Sequence, residues 1–393
     1  MKSFTISLIL ICLGHFLIDL YMNLLPGIMP TLIETMGITL TLSGLLQTVL
    51  SATSSWLQPV FGYVAYRFDT KRALATSILL SALFMSLVGI SKNYWVMLIV
   101  VTLGGLGSSV YHPLGSVTIS SLTSKNPGMV MSLFITAGTL GTTLAPVITS
   151  LVKSRFGLRG ILLLGIPGIL TSVVFYFIQN SLKDIKKVEV TIAPTNDSSK
   201  VNLNLALLVS IVGLRYWVLH TFSIYIPVFY VRKGVSEEIA AAILSLYLFF
   251  NAMGGMFGGA ITDRFGIKNT LIVTSLLAIC CFSMFFVTTG YMSSFVLLFL
   301  GATLLQSAYP GSVVFAQKLY PKNPSMATGF MQGFTFGLGG IGALITAALS
   351  DYWGGNLEMA LKLLPIALIL SFIGSLFIPV EKNKSFIKSE GFK

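Results

Sequence analysis

The sequence repeats itself at a shift of 197 residues, and this duplication limits the possible folds more than any other feature. Segment 62–71 aligns with 259–268, and segment 125–127 aligns with 322–324, without a gap. Three pairs of single residues keep the same offset: Pro113 and Pro310, Gly37 and Gly234, and Gly157 and Gly354. Landmarks at one offset indicate two copies of one structural unit, each about half of the chain.

Composition excludes a soluble enzyme. Hydrophobic residues make up 54% of the chain and charged residues only 10%, whereas a soluble protein carries about 25% charged residues. The three cysteines, Cys12, Cys280 and Cys281, lie in apolar runs and have neither the spacing of a disulfide framework nor that of a metal site. A duplicated, strongly apolar chain is typical of transporters, with the substrate site between the two halves.

Hydropathy predicts twelve membrane spans, since each requires about 20 apolar residues. We number them spans 1 to 12, at residues 5–29, 41–66, 73–91, 95–121, 127–150, 159–180, 204–231, 237–262, 270–290, 293–318, 325–350 and 358–380. The polar stretch 181–203 separates the copies and is predicted to be a cytoplasmic linker. The predicted fold is an all-α membrane protein in which twelve transmembrane helices form two pseudo-symmetric six-helix bundles. The bundles are residues 1–180 and residues 204–393, and the second ends in a short cytoplasmic tail.

The basic residues predict the orientation of the chain. If the N-terminus is inside, the inner loops hold 17 Lys and Arg residues and the outer loops hold 7, so both termini are predicted to be cytoplasmic. The net charge of +12 then reflects membrane orientation and not nucleic-acid binding. The first apolar run is too long for a signal peptide and is predicted to be a retained helix. We expect a monomeric, multi-pass protein of the bacterial cytoplasmic membrane.

Few ionisable side chains lie deep within the predicted spans. Asp19 is the only such acid, Arg215 is the only base near the middle of a span, and all three histidines, His15, His112 and His220, also lie within spans. A charge at the bilayer centre costs at least about 2.5 kcal/mol. These groups should therefore face protein or water, and they are candidates for function.

The ionisable groups follow the helical period and the repeat. His15, Asp19 and Asn23 lie four residues apart and share one face of span 1. The repeat maps Asp19 onto Tyr216 and Asn23 onto His220, which places an equivalent polar face on span 7. The residues predicted to contact the substrate, on spans 1, 4, 7 and 10, are Asn23, His112, Arg215, Tyr216, His220, Gln306 and Tyr309.

Asp19 is predicted to take up and release protons, together with His15. Alternatives remain open at this stage for each group. Asp19 could be a structural partner of Arg215, and Arg215 could bind a substrate carboxylate instead. His15 could serve only to orient Asp19, and His112 could satisfy a backbone carbonyl that Pro113 leaves free.

The loop between spans 8 and 9 carries the pattern Gly-x-x-x-Asp-Arg-x-Gly-x-Lys at residues 259–268. A glycine allows two helices to approach, and the charged residues can pair helix ends at a cytoplasmic gate. The first copy has Tyr66 in place of the acid and Asp69 in place of the second glycine. The predicted gating residues are Gly62, Arg67, Asp69, Gly259, Asp263, Arg264 and Lys268.

This loop pattern resembles the signature of the major facilitator superfamily, in which the helices equivalent to spans 1, 4, 7 and 10 line the central cavity. A narrower resemblance to the fosmidomycin resistance protein family rests on His15-x3-Asp19 with Pro30 downstream and on segments 54–63 and 105–113. The resemblance implies the major facilitator fold and is strongest over the first 150 or so residues.

Two features of the sequence depart from the patterns of these families. Span 5 resembles the glycine series of the antiporter motif, but Ala145 replaces the glycine before Pro146. The fosmidomycin resistance family has an acid after the His-Pro pair and an arginine three residues later, where this chain has Leu114 and Val117.

The sequence therefore predicts a proton-coupled secondary transporter, an antiporter that exports a small organic molecule or drug by alternating access. A proton-coupled importer of a metabolite or siderophore-like compound is an alternative, and a non-transporting membrane sensor is a weaker one. Neither a metal cluster nor a nucleophile–base pair is evident, so the chain is predicted not to be an enzyme and to need no metal or cofactor. Its expected partners are a small-molecule substrate, protons and the lipid bilayer.

Overall fold

The computed structural model describes residues 2–58, 60–61, 69–122, 127–178, 203–320 and 324–379. Within these ranges the chain contains helices and short connections, and the described part has no β-strand. The predicted linker 181–203 lies, except for its last residue, outside the described residues. Gly62 and Arg67 also lie outside them.

The first half contains spans 1 to 6. Their helices are Lys2–Met22 and Leu24–Met36 in span 1, Leu40–Ser51 with the π-helical turn Ala52–Trp56 in span 2, Thr70–Leu87 in span 3, Tyr94–Ser121 in span 4, Pro127–Phe156 in span 5, and the 3-10 helix Leu158–Leu164 followed by Gly165–Ile178 in span 6. The described connections, between spans 1 and 2, spans 3 and 4, and spans 5 and 6, are short turns, which place these helices side by side.

The second half contains spans 7 to 12 in the same order. Their helices are Leu203–Arg232 in span 7, Glu237–Phe265 in span 8, Ile267–Phe285 in span 9, Tyr291–Ser307 and Tyr309–Leu319 in span 10, Pro324–Tyr352 in span 11, and Leu357–Leu361 and Leu364–Leu376 in span 12. Eleven described helices are long and apolar enough to cross a membrane, and span 2 is described only in part. The all-helical, twelve-span prediction is consistent with this count.

Span 1 is longer than predicted and is interrupted. The sequence predicted 5–29, whereas the helical segment continues to Met36 with a break at Asn23. Pro26 has no backbone N–H, so the carbonyl of Met22 loses its usual helical donor. The side-chain amide of Asn23 stabilises the break because its Nδ2 donates to the carbonyl oxygen of Asp19 at 2.8 Å.

The glycine landmarks of the repeat have a structural reason. Gly37 and Gly234 have φ values of 60° and 84°, and Gly157 and Gly354 have φ values of 68° and 66°. An L-residue with a side chain rarely adopts this left-handed conformation, whereas glycine adopts it without a steric cost. The two halves therefore use the same left-handed turns at equivalent places, which supports the duplication inferred from the sequence.

Apolar side chains cover both the interior and much of the outer surface. Large clusters of buried aliphatic and aromatic residues fill the space between the helices of each half. Many large apolar residues on the outside remain exposed, among them Phe177 at 77% and Val287 at 81%. Helices that are apolar all round belong to a membrane environment. The chain is a multi-pass membrane protein.

Candidate functional site

A central cavity of about 390 Å³ lies between the two halves. Spans 1, 2, 4 and 5 contribute to its wall from the first half, and spans 7, 8, 10 and 11 contribute from the second half. The predicted site residues that line it are Asp19, Asn23, His112, Tyr216, His220 and Gln306. The cavity therefore brings together most of the candidates that the sequence singled out, which come from both copies of the repeat.

Asp19 stands between two histidines at the wall of this cavity. The Nε2 atom of His112 lies 3.1 Å from one carboxylate oxygen of Asp19. The Nε2 atom of His15 lies 3.4 Å from the other. One donor atom from each of the three residues lies within 4.8 Å of the other two, a spacing at which they could share one cation.

The surroundings of His15 determine which of its nitrogens faces Asp19. Its Nδ1 atom lies 2.7 Å from the carbonyl oxygen of Phe134 in span 5, and its ring stacks on the Phe134 ring at 3.8 Å. A carbonyl can only accept a hydrogen bond, so Nδ1 carries a hydrogen. In the neutral imidazole the Nε2 atom then presents a lone pair to the carboxylate. That juxtaposition of two acceptors is stable only when a proton or another cation lies between them.

Span 5 leaves space for this group. A Cβ atom added to Gly138 would lie only 2.4 Å from an oxygen of Asp19 and 2.5 Å from the His15 ring. Any larger residue would therefore push the carboxylate or the imidazole out of place. Gly138 belongs to the glycine series of span 5. Its contact with the Asp19–His15 pair gives that glycine a specific role in the site.

The second half supplies an aromatic wall at the equivalent positions. Tyr216 lies with its ring centroid 5.7 Å from His220 and 4.8 Å from Phe336. Its hydroxyl donates to Oε1 of Gln306 at 3.1 Å. Tyr309 packs on Tyr216 at 5.2 Å and does not line the cavity. The prediction of Tyr309 as a direct substrate contact is therefore replaced by a supporting position behind Tyr216.

Arg215 does not reach the cavity and does not pair with Asp19, which was one of the alternatives left open by the sequence. The side chain is 1% exposed and lies within the second half. Its guanidinium group donates to the hydroxyls of Thr274 and Ser275 and to the carbonyls of Leu304 and Leu305. Both carbonyls belong to the end of the first helix of span 10, where backbone acceptors lack helical donors. Arg215 therefore acts as a cap for a broken helix.

The sequence did not identify several polar residues of the cavity wall. These are Gln47, Ser51, Ser54, Ser55, Ser108, Thr142, Ser223 and Asn251. The repeat held a signal for some of them. Ser54 and Asn251 differ by 197 residues, as do Asp19 and Tyr216, so spans 2 and 8 contribute to the wall at equivalent positions. A polar residue in both copies of an apolar span would have indicated the cavity.

Comparison with known proteins agrees with this architecture. Residues 11–343 match the model of the Major Facilitator Superfamily. The chain belongs to the major facilitator superfamily. It is a transporter and not an enzyme, which confirms the prediction from the sequence.

Individual relatives resemble the chain over most of its length. The fosmidomycin resistance protein of Escherichia coli (strain K12) is 26% identical over 95% of this chain and 93% of its own. The uncharacterized MFS-type transporter YfnC of Bacillus subtilis (strain 168) is 28% identical over 93% of this chain and 92% of its own. The multidrug resistance protein MdtG of Salmonella arizonae is 25% identical over 74% of this chain and 75% of its own. The predicted resemblance to the fosmidomycin resistance family is thus confirmed.

Solved structures show the same fold. A bacterial homolog to the human lysosomal transporter Spinster, in an inward-facing and occupied conformation, superposes with a TM-score of 0.79 at 13% identity, covering 95% of this chain and 96% of that chain. The nucleoside transporter NupG gives a TM-score of 0.72 at 14% identity, covering 96% of this chain and 99% of that chain. At these identities the likeness establishes the fold alone.

The predicted cytoplasmic gate of this major facilitator is described only in part. Asp69 is the N-cap of span 3, since it accepts from the backbone N–H of Arg72 at 3.0 Å. Asp263 and Arg264 are exposed, and Arg264 lies over the ring of Phe265 at 5.4 Å. Lys268 is half-buried near the start of span 9. The gating role of these residues stays a prediction.

The reason given for Gly259 needs correction. A Cβ atom added to Gly259 would meet nothing within 4 Å, so this glycine does not allow two helices to approach. The close crossing of spans 8 and 10 depends instead on Gly254 and Gly258, whose added Cβ atoms would lie 2.2 Å and 2.0 Å from the carbonyl oxygens of Thr303 and Ser307. The signature glycine lies one residue beyond this crossing.

The two halves of this major facilitator are joined at the predicted outer side, through residues that the sequence had assigned no role. Asp351 of span 11 accepts from the backbone N–H groups of Leu40 and Thr41 at 3.2 Å and 2.7 Å, at the start of the span 2 helix. Glu237 of span 8 binds Lys153 of span 5 and Thr31 of span 1. These contacts join the two halves at the predicted outer side.

Proposed function

We propose that this chain is a proton-coupled antiporter that exports a small organic molecule or drug by alternating access. The observation that supports this proposal is the carboxylate of Asp19, which faces the central cavity and contacts a histidine with each of its oxygens. A carboxylate in this position can hold either a proton or a substrate. The chain is further proposed to work as a monomer in the bacterial cytoplasmic membrane, with both termini in the cytoplasm.

The chemistry of the cluster suggests how the proton would be held. His112 can donate to one oxygen of Asp19 through Nε2, and His15 presents its Nε2 to the other oxygen. Because the Nδ1 atom of His15 is committed to the Phe134 carbonyl, an added proton would lie between Nε2 and the carboxylate. Protonation from the outside would weaken the hold of Asp19 on a substrate, and release of the proton to the inside would restore it.

Conformational exchange would follow from the contacts between the halves. The outer side is held by Asp351 against the start of span 2 and by Glu237 against Lys153. Opening to the outside must break these polar contacts, so a proton or substrate in the cavity has to compensate for their loss. Rocking of residues 1–180 against residues 204–393 about the cavity would provide the alternating access, with 181–203 as the linker.

The names of two relatives favour export over import. The Escherichia coli relative is a fosmidomycin resistance protein, and the Salmonella relative is a multidrug resistance protein. Resistance to a toxic compound follows directly when the compound leaves the cell. An importer would instead sensitise cells to a toxic substrate. The two directions can therefore be separated by expressing this chain in an efflux-deficient host and measuring its growth in the presence of toxic compounds.

Gradient-driven transport by reconstituted protein tests the proposal. A compound to which the chain confers resistance is loaded into proteoliposomes, and its movement is followed with and without an imposed proton gradient. We expect Asp19→Asn to remain folded but to lose gradient-driven transport, whereas Glu34→Gln, an exposed carboxylate on the same span, should behave as the wild type. Undiminished gradient-driven transport by Asp19→Asn would contradict the proposal.

The proposed orientation has a separate test. Activity reporters fused after residue 190 and after Lys393 should both report a cytoplasmic location, because 17 basic residues lie in the predicted inner loops against 7 in the outer ones. A reporter fused in the turn near Lys92, assigned to the outside, serves as the matched control. A periplasmic signal at either cytoplasmic position would overturn the twelve-span orientation.

A further inference from the structure

The cavity wall carries fixed charge of one sign only, which is negative. Among the described residues that line the cavity, Asp19 is the only carboxylate, and none is lysine or arginine. The other polar groups are amides, hydroxyls and the imidazoles of His112 and His220. His112 faces Asp19, so a proton on its ring would be neutralised by the carboxylate beside it. An anionic substrate would find no fixed positive charge on this wall.

The buried guanidinium group of Arg215, in the second half, does not add positive charge to the cavity wall. All the bonds of the Arg215 guanidinium go to hydroxyls and carbonyls of spans 9 and 10, inside the helix bundle. The side chain is fully buried and does not contribute to the cavity wall. Moving it toward a ligand would take its donors away from the carbonyls of Leu304 and Leu305 at the end of the span 10 helix. Arg215 is therefore unavailable for an anion.

The wall from the second half offers an apolar, π-rich surface. Tyr216, His220 and Phe336 all line the cavity, and their ring centroids are 4.8 to 6.0 Å apart. Aromatic faces attract cations and stack on flat apolar groups. A cavity of about 390 Å³ also falls in the size range of sites for drug-sized molecules. Charge recognition and ring recognition are thus divided between the two halves.

From this division we infer that the substrate is an organic cation with an aromatic or other flat apolar portion. Its positive charge is held by Asp19 in the first half, and its apolar portion packs on the wall formed by Tyr216, His220 and Phe336 in the second half. This inference rests on the proposed transport function and specifies its substrate class. A proton and the substrate compete for the same carboxylate.

A matched pair of probe ions distinguishes cation recognition from mere hydrophobic binding. Tetraphenylphosphonium and tetraphenylborate have nearly the same size and shape and opposite charges. Equilibrium binding of each is measured to the purified, detergent-solubilised full chain, without any gradient. We expect tetraphenylphosphonium to bind about tenfold more tightly than tetraphenylborate and to lose about tenfold or more in affinity in Asp19→Asn, because a charge loses its partner.

The control variant is Glu34→Gln, which removes an exposed carboxylate from the same span and should leave the affinity of tetraphenylphosphonium unchanged. Should Asp19→Asn fail to elute as a monodisperse species, the pH dependence of the wild type replaces it. The groups that face Asp19 are His15 on its own span and His112 and Tyr111 on span 4, while span 5 contributes Gly138 there. Affinity for the cation should fall as the pH falls, because protons compete with the cation for the Asp19 carboxylate.

Specific outcomes would overturn the inference. Tetraphenylphosphonium binding that is absent, or that is insensitive to both Asp19→Asn and pH, would exclude a cation site at Asp19. Tighter binding of tetraphenylborate to the wild type would indicate an anion site instead. A different result would contradict the proposed transport function. If tetraphenylphosphonium binds through Asp19 but a proton gradient does not drive its movement, the inferred substrate class is supported and proton coupling is refuted.

Discussion

The two halves of the molecule share one architecture but differ in how they treat buried charge. Asp19 in the first half corresponds to Tyr216 in the second, and Ile18 corresponds to Arg215. Asp19 contacts two imidazoles, which can gain or lose a proton. Arg215 contacts hydroxyls and carbonyls, which neither gain nor lose a proton near neutral pH. Each half thus has one deep charge, and only that of the first half has partners that can change state.

The backbone of spans 4 and 10 explains this difference. Pro113 and Pro310 are equivalent in the repeat, yet the helix of span 4 continues across Pro113 from Tyr94 to Ser121. The span 10 helix ends at Ser307, and a second helix begins at Tyr309. A helix that ends inside the bundle leaves carbonyls without donors and a negative dipole end. A guanidinium group satisfies both, which explains how a cation is buried without a carboxylate.

The largest effect on stability should come from Arg215→Met. The substitution removes the cost of burying a charge, but it leaves the carbonyl of Leu305 without a donor, at about 1–3 kcal/mol, and the carbonyl of Leu304 with only the Ser307 hydroxyl. We expect the free energy of unfolding to fall by at least about 2 kcal/mol, measured as a lower thermal transition of the detergent-solubilised protein. Ile18→Met at the equivalent position of the first half is the control and should cost less than about 1.5 kcal/mol.

Asp19→Asn in the same stability assay sharpens the comparison. Because its partners can also bond to an amide, this variant should unfold close to the wild-type temperature although its transport is lost. If Asp19→Asn unfolds as readily as Arg215→Met, the division into a functional charge and a structural charge is wrong.

The histidines should differ between the halves in their effect on the pH dependence of transport. His112→Gln removes a group that stabilises ionised Asp19, so a higher pH is needed to release the proton. We expect the pH optimum to move upward by about 0.5–1 unit. His15→Gln should act in the opposite direction, because the Nε2 lone pair of His15 favours a proton on the carboxylate. His220→Gln is the matched variant in the second half. It should change the affinity for the substrate without moving the pH optimum of transport. If the optimum moved as far as in His112→Gln, the difference between the two halves in proton coupling would be refuted.

The contact of Asp351 with span 2, at the predicted outer side, should have a smaller effect than the substitutions above, and this effect is on the conformational equilibrium. Asp351 accepts two backbone N–H groups at the start of the span 2 helix, where the helix dipole favours a negative charge. Asp351→Asn should favour the outward-open state by about 1 kcal/mol, seen as a larger population with long distances between spin labels at the outer ends of spans 2 and 11.

Glu358→Gln provides the matched control for that measurement. Glu358 pairs with Lys233 and Lys362, all within the second half, so its loss should leave the distances between the halves unchanged. An equal shift in both variants would mean that general surface charge, and not the cap on span 2, sets the conformational equilibrium.

The polar faces of spans 1 and 7 could be predicted because the helical spacing and the repeat can both be recognised from residue types alone. It could not predict the partners of Arg215. They are carbonyls released by a helix break, and the equivalent Pro113 shows that a proline alone does not cause one. The contact of Asp351 with span 2 was also out of reach, since it joins residues more than 300 positions apart and depends on how the halves dock.

The smallest predicted effect concerns the hydroxyl of Tyr216, which donates to Oε1 of Gln306 at 3.1 Å. Tyr216→Phe keeps the aromatic ring against His220 and Phe336 and removes one hydrogen bond, which is worth about 0.5–1.5 kcal/mol. Because the freed amide of Gln306 faces a cavity and can bind water, we expect the lower end of that range. The affinity for tetraphenylphosphonium should therefore fall by no more than about threefold. Tyr216→Leu, which also removes the ring, should weaken binding further. A tenfold loss in Tyr216→Phe would mean that the hydroxyl contacts the substrate directly, and that the second half contributes polar recognition as well as an aromatic surface.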